Sequence, residues 1–505
     1  MIFRRVDIAI VASIIAGGML ALAFPRPDLY PVAWIALIPL FVFMERRPFA
    51  SGFAAGMAFF APVLYWLNIV MTSYGGLQPI FSLLAYLFLL VYLSLYFGLA
   101  TWLSCSLKLK FKLPFLLTMP FLWIALEYLR GCLLTGFPWA LLGYSQQNFS
   151  AAIQSADVTG VYGVSFLLIS VNCALAWIIR DPQKKWSWIG ALAVILMTVT
   201  HVGYGFWRNN QPLDVRSDSL RISLIQGNID QAQKWVPENR QATIDKYQKL
   251  SKQALSDPVD LLIWPEAATP FFLQDETDAA QQVRNLPRQM ETPLLLGSPA
   301  YQRLNDGRYR YFNSAFLLQT GQQEVERSDK IHLVPFGEYV PLGQLLTFIN
   351  KLVVGVGDFS PGRVKPLLLD DDPIGALICY EVIFPGLARD YVRKGSRLLV
   401  NLTNDAWFGH SSAPYQHLAM SRFRAIENRI WLARAANTGI SAFISPSGRV
   451  VSAGPIFQSL HLTETVGLGA GKTFYTRFGD LFAFVCLAIS GFFSVLLILQ
   501  RLRRR

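Results

Sequence analysis

Charge is what this sequence has least of. Only 15% of its 505 residues are Asp, Glu, Lys or Arg, against about 25% in soluble domains. Cysteine is equally sparse at five residues, so no disulfide scaffold is to be expected. Glycine (36) and proline (28) stand at ordinary levels, which excludes collagen-like and low-complexity chains. Disorder is excluded from the other side, because 53% of the residues are hydrophobic and mean hydropathy is +0.36. A large part of such a chain is dissolved in lipid.

Helices that cross a bilayer need roughly 17–25 apolar residues. Eight segments qualify: Ile8–Phe24, Leu29–Met44, Phe53–Met71, Ile80–Leu103, Leu113–Leu126, Val161–Ile179, Trp186–Val202 and Leu481–Leu499. The second and fifth are short and contain prolines (Pro31, Pro39; Pro114, Pro120). Alternate connections carry the cations: Arg4 and Arg5; Arg46 and Arg47; Lys108, Lys110 and Lys112; Arg180, Lys184 and Lys185; Arg501 and Arg503–Arg505. These 14 cations, against Glu45 and Asp181 alone, account for the whole net charge of +12. The basic balance therefore reports orientation across a membrane and gives no support for nucleic-acid binding. Both termini are expected in the cytoplasm, with seven crossings placing the polar stretch after them outside it. Arg4-Arg5, an apolar run and Ala21-Leu22-Ala23 resemble a cleavable leader. The run exceeds the usual ~7–15 residues, however, and Pro25 crowds the cleavage point, so an uncleaved helix is the better reading.

The expected organisation is a membrane domain over 1–205, a polar domain over 214–472 and a last helix over 478–500. In the polar domain, short apolar runs read as strands: Leu220–Ile225, Leu261–Trp264, Leu294–Leu296, Ala315–Leu318, Ala376–Ile378, Leu398–Leu402 and Ser441–Ile444. Thr243–Ala254 and Gln416–Ala435 read as helices. The second places Leu418, Phe423, Ile426, Ile430 and Ala433 near one face, with Arg422, Glu427, Arg429 and Arg434 elsewhere. Ser445-Pro446-Ser447-Gly448 reads as a turn between paired strands. Strands without clean alternation are buried on both faces, which points to an α/β sandwich covered by helices.

Three apolar strands end in reactive groups, where α/β folds place their ligands. They lead into Glu266, into Lys330 and on to Glu338, and into Cys379, Tyr380 and Glu381. Cys379 is the sole cysteine of the polar domain, and a thiol there is a nucleophile once its proton is removed. A buried, inert thiol is the plain alternative; a disulfide to Cys132 is a second. Glu266 is the candidate base, since burial of a carboxylate beside a thiol improves it as a proton acceptor; a helix cap is its alternative. Lys330 would stabilise an oxyanion and favour the thiolate; a surface lysine in the charged run Glu324–Asp329 is its alternative. Glu338 and Glu381 are available to hold Lys330 or share the proton load.

Together, Trp264-Pro265-Glu266, the block Lys330–Pro341, Cys379-Tyr380-Glu381 and the block Asn401–Gly409 resemble the Glu–Lys–Cys pattern of the nitrilase superfamily. With membrane helices on both sides, the chain is similar to the apolipoprotein N-acyltransferase family of the bacterial inner membrane. The resemblance implies a polytopic α-helical membrane domain of about eight helices plus an extracytoplasmic α-β-β-α nitrilase-like sandwich. It implies Glu266 as base, Lys330 as oxyanion stabiliser and Cys379 as nucleophile. Glu338, Tyr380 and Glu381 would support the site, and Trp235 its access. No cofactor or metal is implied. The partners it implies are a phospholipid acyl donor, a diacylglyceryl apolipoprotein acceptor and the bilayer itself.

Two apolar stretches are candidates for dipping into the leaflet: Pro270–Leu273 and Leu342–Val356, the latter with Gly343, Gly355 and Gly357 as lid hinges. A helix packed on its own core fits the latter equally well. The segment Gly131–Gly160 reads as an interfacial helix with a Trp anchor or a re-entrant wall of the lipid entrance. Three rival readings remain. A Cys–His pair would use His332 as base, while His410, His417 and His461 lack metal-ligand spacing with a cysteine. A membrane-anchored amidase or hydrolase would pass the acyl group to water. A transporter would need ionisable groups at mid-membrane, and Glu127 and Arg130 lie only at a segment end.

Overall fold

The computed structural model describes residues 7–211, 215–321, 325–339, 359–469 and 472–503. The chain forms two compact units. One holds Met1–Asn68, Pro79–Gln211 and Phe478–Arg505; the other holds Ile69–Gln78 and Pro212–Arg477.

The first unit is helical. Among the described residues, Pro79–Phe111, Val161–Arg180, Lys185–Asn209 and Leu481–Leu502 are long and apolar enough to cross a membrane, and the bent pair Pro48–Leu64 with Trp66–Tyr74 makes a fifth. Ile8–Leu22 and Phe115–Arg130 are helices of 15 and 16 residues. At ~1.5 Å per residue each is roughly 23 Å long, less than the ~30 Å hydrocarbon core. Close approach between helices rests on small side chains, as membrane helices require. At Gly17 an added Cβ would lie 2.1 Å from the Ala55 carbonyl oxygen.

The segment Leu29–Met44 is not one helix. It consists of a 3-10 turn, Tyr30–Trp34, and a short helix, Ile38–Phe43, each opening on one of the prolines. The backbone groups freed by the break are met by one side chain: Asn172 accepts from Leu37 N at 2.8 Å and donates to the Ala33 carbonyl at 2.9 Å. The interfacial helix expected within Gly131–Gly160 is likewise absent. That segment is a series of short turns, and Trp139 is buried rather than anchoring at a surface. Arg130 donates to the Trp139 carbonyl at 2.7 Å, and Glu127 accepts from Leu142 N at 2.8 Å. The pair thus pins an irregular backbone that would otherwise lack partners.

The second unit holds two six-stranded sheets. Its strands are β1 (Val215–Gln226), β2 (Leu261–Ile263), β3 (Leu294–Arg303), β4 (Tyr309–Leu318), β5 (Glu326–Asp329), β6 (Leu367–Leu369), β7 (Asp372–Ile378), β8 (Leu398–Thr403), β9 (Leu432–Ala436), β10 (Ala442–Ile444), β11 (Val450–Ala453) and β12 (Leu460–Gly469). One sheet runs β12-β1-β2-β3-β4-β5, the other β11-β10-β9-β8-β7-β6. The central members β1, β2 and β3 are parallel, as are β7, β8 and β9. Alternate residues divide between two cores. Leu224, Ile263, Leu295, Ile378, Val400 and Ala433 share the core between the sheets, while Ile225, Leu262, Trp264 and Leu296 pack outward with Ile244 and Leu250 of the helix Arg240–Ala254. Helices Pro385–Arg393 and Ala413–Asn428 accompany the second sheet. The result is the expected α-β-β-α sandwich, and the turn at Ser445–Gly448 does join the antiparallel pair β10–β11.

One helix expectation is corrected. The run Gln416–Ala435 divides, because the helix stops at Asn428 and Arg429 takes a left-handed φ of 49°. Leu432–Ala436 then enters the sheet beside β8. The apolar spacing continued across the break because both elements are buried. Leu342–Val356, with Gly343, Gly355 and Gly357, lies outside the described residues. In the other candidate stretch, Phe271 and Leu273 are buried in the outward core of the first sheet.

Candidate active site

Parallel strands deliver the reactive groups to one end of the sandwich. β2 runs out into Trp264-Pro265-Glu266, with Trp264 stacked on Tyr247 at 4.8 Å and its indole donating to Ser251 Oγ at 2.9 Å. The Glu266 turn lies against β3, where only glycine fits: a Cβ on Gly297 would stand 2.6 Å from Glu266 Cα. β5 ends at Asp329, and Lys330 N donates to the Asn313 carbonyl of β4 at 2.8 Å. β7 ends at Ile378, and Cys379 turns the chain sharply with φ 52° into a 3-10 turn. A left-handed φ is uncommon for a residue with a Cβ and marks a constrained position.

Glu266, Lys330 and Glu338 form one hydrogen-bonded cluster and are all buried. Lys330 Nζ lies 2.9 Å from Glu338 Oε1 and 3.5 Å from Glu266 Oε1. Asn313 Nδ2 donates to both carboxylates, at 2.8 Å to Glu266 and 2.9 Å to Glu338. The second oxygen of Glu266 accepts from Asn404 N at 2.9 Å, and that of Glu338 from Val334 N at 2.8 Å. Burial works against the Lys330 charge, but Glu338, Glu266 and Cys379 outweigh it and hold its pKa above the ordinary value. Lys330 is therefore a fixed cation, not the surface lysine of a charged run.

Cys379 is buried and free. Burial raises its pKa, Glu266 raises it further, and Lys330 and a hydrogen bond from Thr403 only partly oppose this. The thiolate that Lys330 was expected to favour is thus not the resting state. The thiol keeps its proton until attack, so a base must take it.

Glu381 does not hold Lys330. Its carboxylate accepts from Ile331 N, His332 N and Ile378 N at 2.6, 3.0 and 2.7 Å, tying the nucleophile turn to the chain just after Lys330. Tyr380 packs edge-on to Phe384 at 5.2 Å. His332 lies against Phe384 at 3.8 Å, and burial together with Lys330 lowers its pKa to about 4. The groups acting on the thiol are Glu266, Lys330, Asp405 and Thr403. Trp235 follows the short helix Gln231–Lys234 and is half-buried.

A second lysine stands in the site, and the sequence gave no sign of it. Lys234 is buried, its Nζ donates to the Glu266 carbonyl at 3.2 Å, and both Glu266 and Cys379 act on its charge. Burial lowers its pKa to about 8. In the polar run Gln231–Lys234 it reads as a surface residue. Asn313 and the buried set Asn401, Asp405, His417 and Arg434 were also unrecognised; the Asn401–Gly409 block was the only sequence signal for the latter. Among the described residues no group of His, Cys, Asp and Glu is placed to hold a metal.

Comparison with known proteins places this geometry. The family model for the apolipoprotein N-acyltransferase N-terminal domain matches residues 16–174, and that for carbon-nitrogen hydrolase matches residues 221–465. An apolipoprotein N-acyltransferase from Geobacter metallireducens is 47% identical, covering 94% of this chain and 92% of the relative. The chain belongs to the apolipoprotein N-acyltransferase family. Another member, from Chlorobaculum tepidum, is 32% identical over 97% of this chain and 96% of its own. Among solved structures, an amidase from Nesterenkonia sp. aligns with 53% of this chain and 95% of its own at 22% identity, with a TM-score of 0.38. The carbon-nitrogen hydrolase match contains Glu266, Lys330, Glu338 and Cys379, and the N-terminal match extends family membership through the apolar helices.

Proposed function

We propose that this enzyme moves an acyl chain from a phospholipid to the amino terminus of a diacylglyceryl apolipoprotein by way of a thioester on Cys379. The observation that supports this reading is the placement of a protonated thiol under the combined influence of a carboxylate, Glu266, and a fixed ammonium, Lys330. In the first half-reaction Cys379 Sγ attacks the sn-1 ester carbonyl and Glu266 takes the thiol proton. Lys330 and backbone N–H groups receive the oxyanion. The ester C–O bond breaks, Glu266 returns the proton to the departing glyceryl oxygen, and lysophospholipid leaves. In the second half the α-amine of the acceptor attacks the thioester and gives a proton to Glu266. The C–S bond breaks, and Cys379 is reprotonated as the amide forms. Each half leaves Glu266 ionised, and the covalent intermediate divides one hard transfer into two easier ones.

Both substrates are lipids, and withdrawing an acyl chain from a bilayer costs about 0.8 kcal/mol per CH₂. A helical unit matched by the family's N-terminal domain suits that demand better than transfer to water would. The orientation that goes with this reading is bacterial inner membrane, both termini cytoplasmic and the catalytic domain over 214–472 periplasmic. Its support is the clustering of cations in alternate connections. The helical domain over 1–205 and the last helix over 478–500 would supply about eight crossings.

Detergent-solubilised enzyme given phospholipid labelled in the sn-1 chain, with a diacylglyceryl-cysteine peptide, should place the label in an amide on the peptide. Label released as free fatty acid at the same rate with and without peptide would support the hydrolase instead.

A further inference from the structure

Behind the thiol lies a layer of buried polar side chains that the reaction above does not use. Asn401 sits mid-strand in β8, opposite Leu377 of β7 and Arg434 of β9. Its Nδ2 donates to the Leu377 carbonyl at 3.0 Å and to the Cys379 carbonyl at 3.3 Å, while its oxygen accepts from Arg434. Arg434 Nη2 also reaches Asp405 Oδ2 at 2.6 Å. His417 Nδ1 lies 3.1 Å from Asp405 Oδ1 and 3.0 Å from Arg434 Nη2, and the ring's other partner is the backbone carbonyl of Cys379. The network thus begins and ends on a single carbonyl oxygen. Its members are fully buried, and charges placed so deep are costly unless every donor and acceptor is met. Such a network fixes geometry at that oxygen.

The peptide plane carries the consequence. In a planar trans peptide the carbonyl of one residue and the N–H of the next point in opposite directions. Two donors holding the Cys379 oxygen from behind therefore determine where the Tyr380 N–H points. Tyr380 is the second residue of its 3-10 turn, and the first N–H groups of a helical turn have no partner within it. That N–H is left for the side on which the thiol reacts.

We propose that Asn401 and His417, held by Arg434 and Asp405, clamp the Cys379 carbonyl and thereby aim the Tyr380 N–H as an oxyanion donor opposite Lys330. The clamp rests on the reading of Cys379 as nucleophile, and its members are positioning residues. It predicts a separation between two reactions of one sulfur atom. Alkylation by iodoacetamide forms an S–C bond and expels iodide, with no oxyanion. Acylation by phospholipid passes through one.

The full-length enzyme in detergent would be compared with Asn401→Asp, which keeps volume and the bond to Arg434 but removes the Nδ2 donor, and with His417→Phe, which removes the ring donor. In each, alkylation of Cys379 should stay within about threefold while acyl-enzyme formation falls on the order of 10–100-fold, below the loss of a whole oxyanion donor. His417→Gln, which retains a donor, should recover most of the acylation rate. Parallel loss of both reactions in both variants, or loss of neither, would overturn the clamp. Acylation of Cys379→Ser at the wild-type rate would instead overturn the nucleophile assignment beneath it.

Discussion

Lys330 Nζ rests 2.9 Å from Glu338 Oε1, nearer than to the carboxylate proposed as base. Glu338 is thus the anchor that keeps the ammonium from closing on Glu266. Glu338→Gln removes a buried partner, which costs about 3–5 kcal/mol, and lets Lys330 settle on the base. A lower melting temperature is expected, together with roughly 100-fold slower acyl-enzyme formation measured in single turnover. Unchanged acylation in a well-folded variant would contradict that role.

The assignment of the base separates two side chains. Glu266→Gln should reduce acyl-enzyme formation by about 10²–10⁴-fold, the range of general-base catalysis. His332→Gln should change it less than about threefold, because that ring lies on Phe384 with its pKa lowered to about 4. Quenched-flow labelling of both variants measures the difference, and the reverse order would transfer the role to histidine.

Lys234 predicts a dependence of stability on pH. Burial lowers its pKa from 10.5 to about 8, so between roughly pH 8 and 10 the unfolded chain binds the additional proton and stability from this group rises with pH. Below pH 8 both states are charged and the cost of burial applies in full, about 3 kcal/mol for a shift of this size. Lys234→Met should therefore be most favourable to folding, relative to wild type, at pH 7, with the advantage shrinking by pH 10. Melting curves at the two pH values test this; a constant difference would show that Lys234 does not titrate in that window.

Gly297→Ala places a methyl group 2.6 Å from Glu266 Cα, against backbone rather than a movable side chain. Overpacking of this kind costs about 1–3 kcal/mol, and the turn carrying the base must shift. Activity should fall at least tenfold with phospholipid KM little changed, measured by acyl transfer across a donor titration.

Local pattern made much of the fold legible. Leu261–Trp264 and Leu398–Leu402 are continuous apolar runs, and they are central parallel strands buried on both faces. Where two buried elements follow each other the same signal failed: the spacing of Gln416–Ala435 passed through Arg429 unchanged, although that residue ends the helix. In Leu29–Met44 hydropathy concealed a broken backbone whose polar groups are met by distant Asn172. Glu266, Lys330 and Cys379 were each visible as a strand end, yet their convergence depends on strand order, which local sequence does not encode; the family resemblance supplied it. Lys234 escaped notice because a lysine in a polar run looks solvated, and only the tertiary structure removes its water.

Mass spectrometry of the intact protein after exposure to phospholipid, run in parallel on wild type and Cys379→Ser, tests the central claim most directly. A thiol-labile adduct of fatty-acyl mass is expected on the wild type alone. The same adduct on both proteins, or on neither, would contradict a thioester at Cys379.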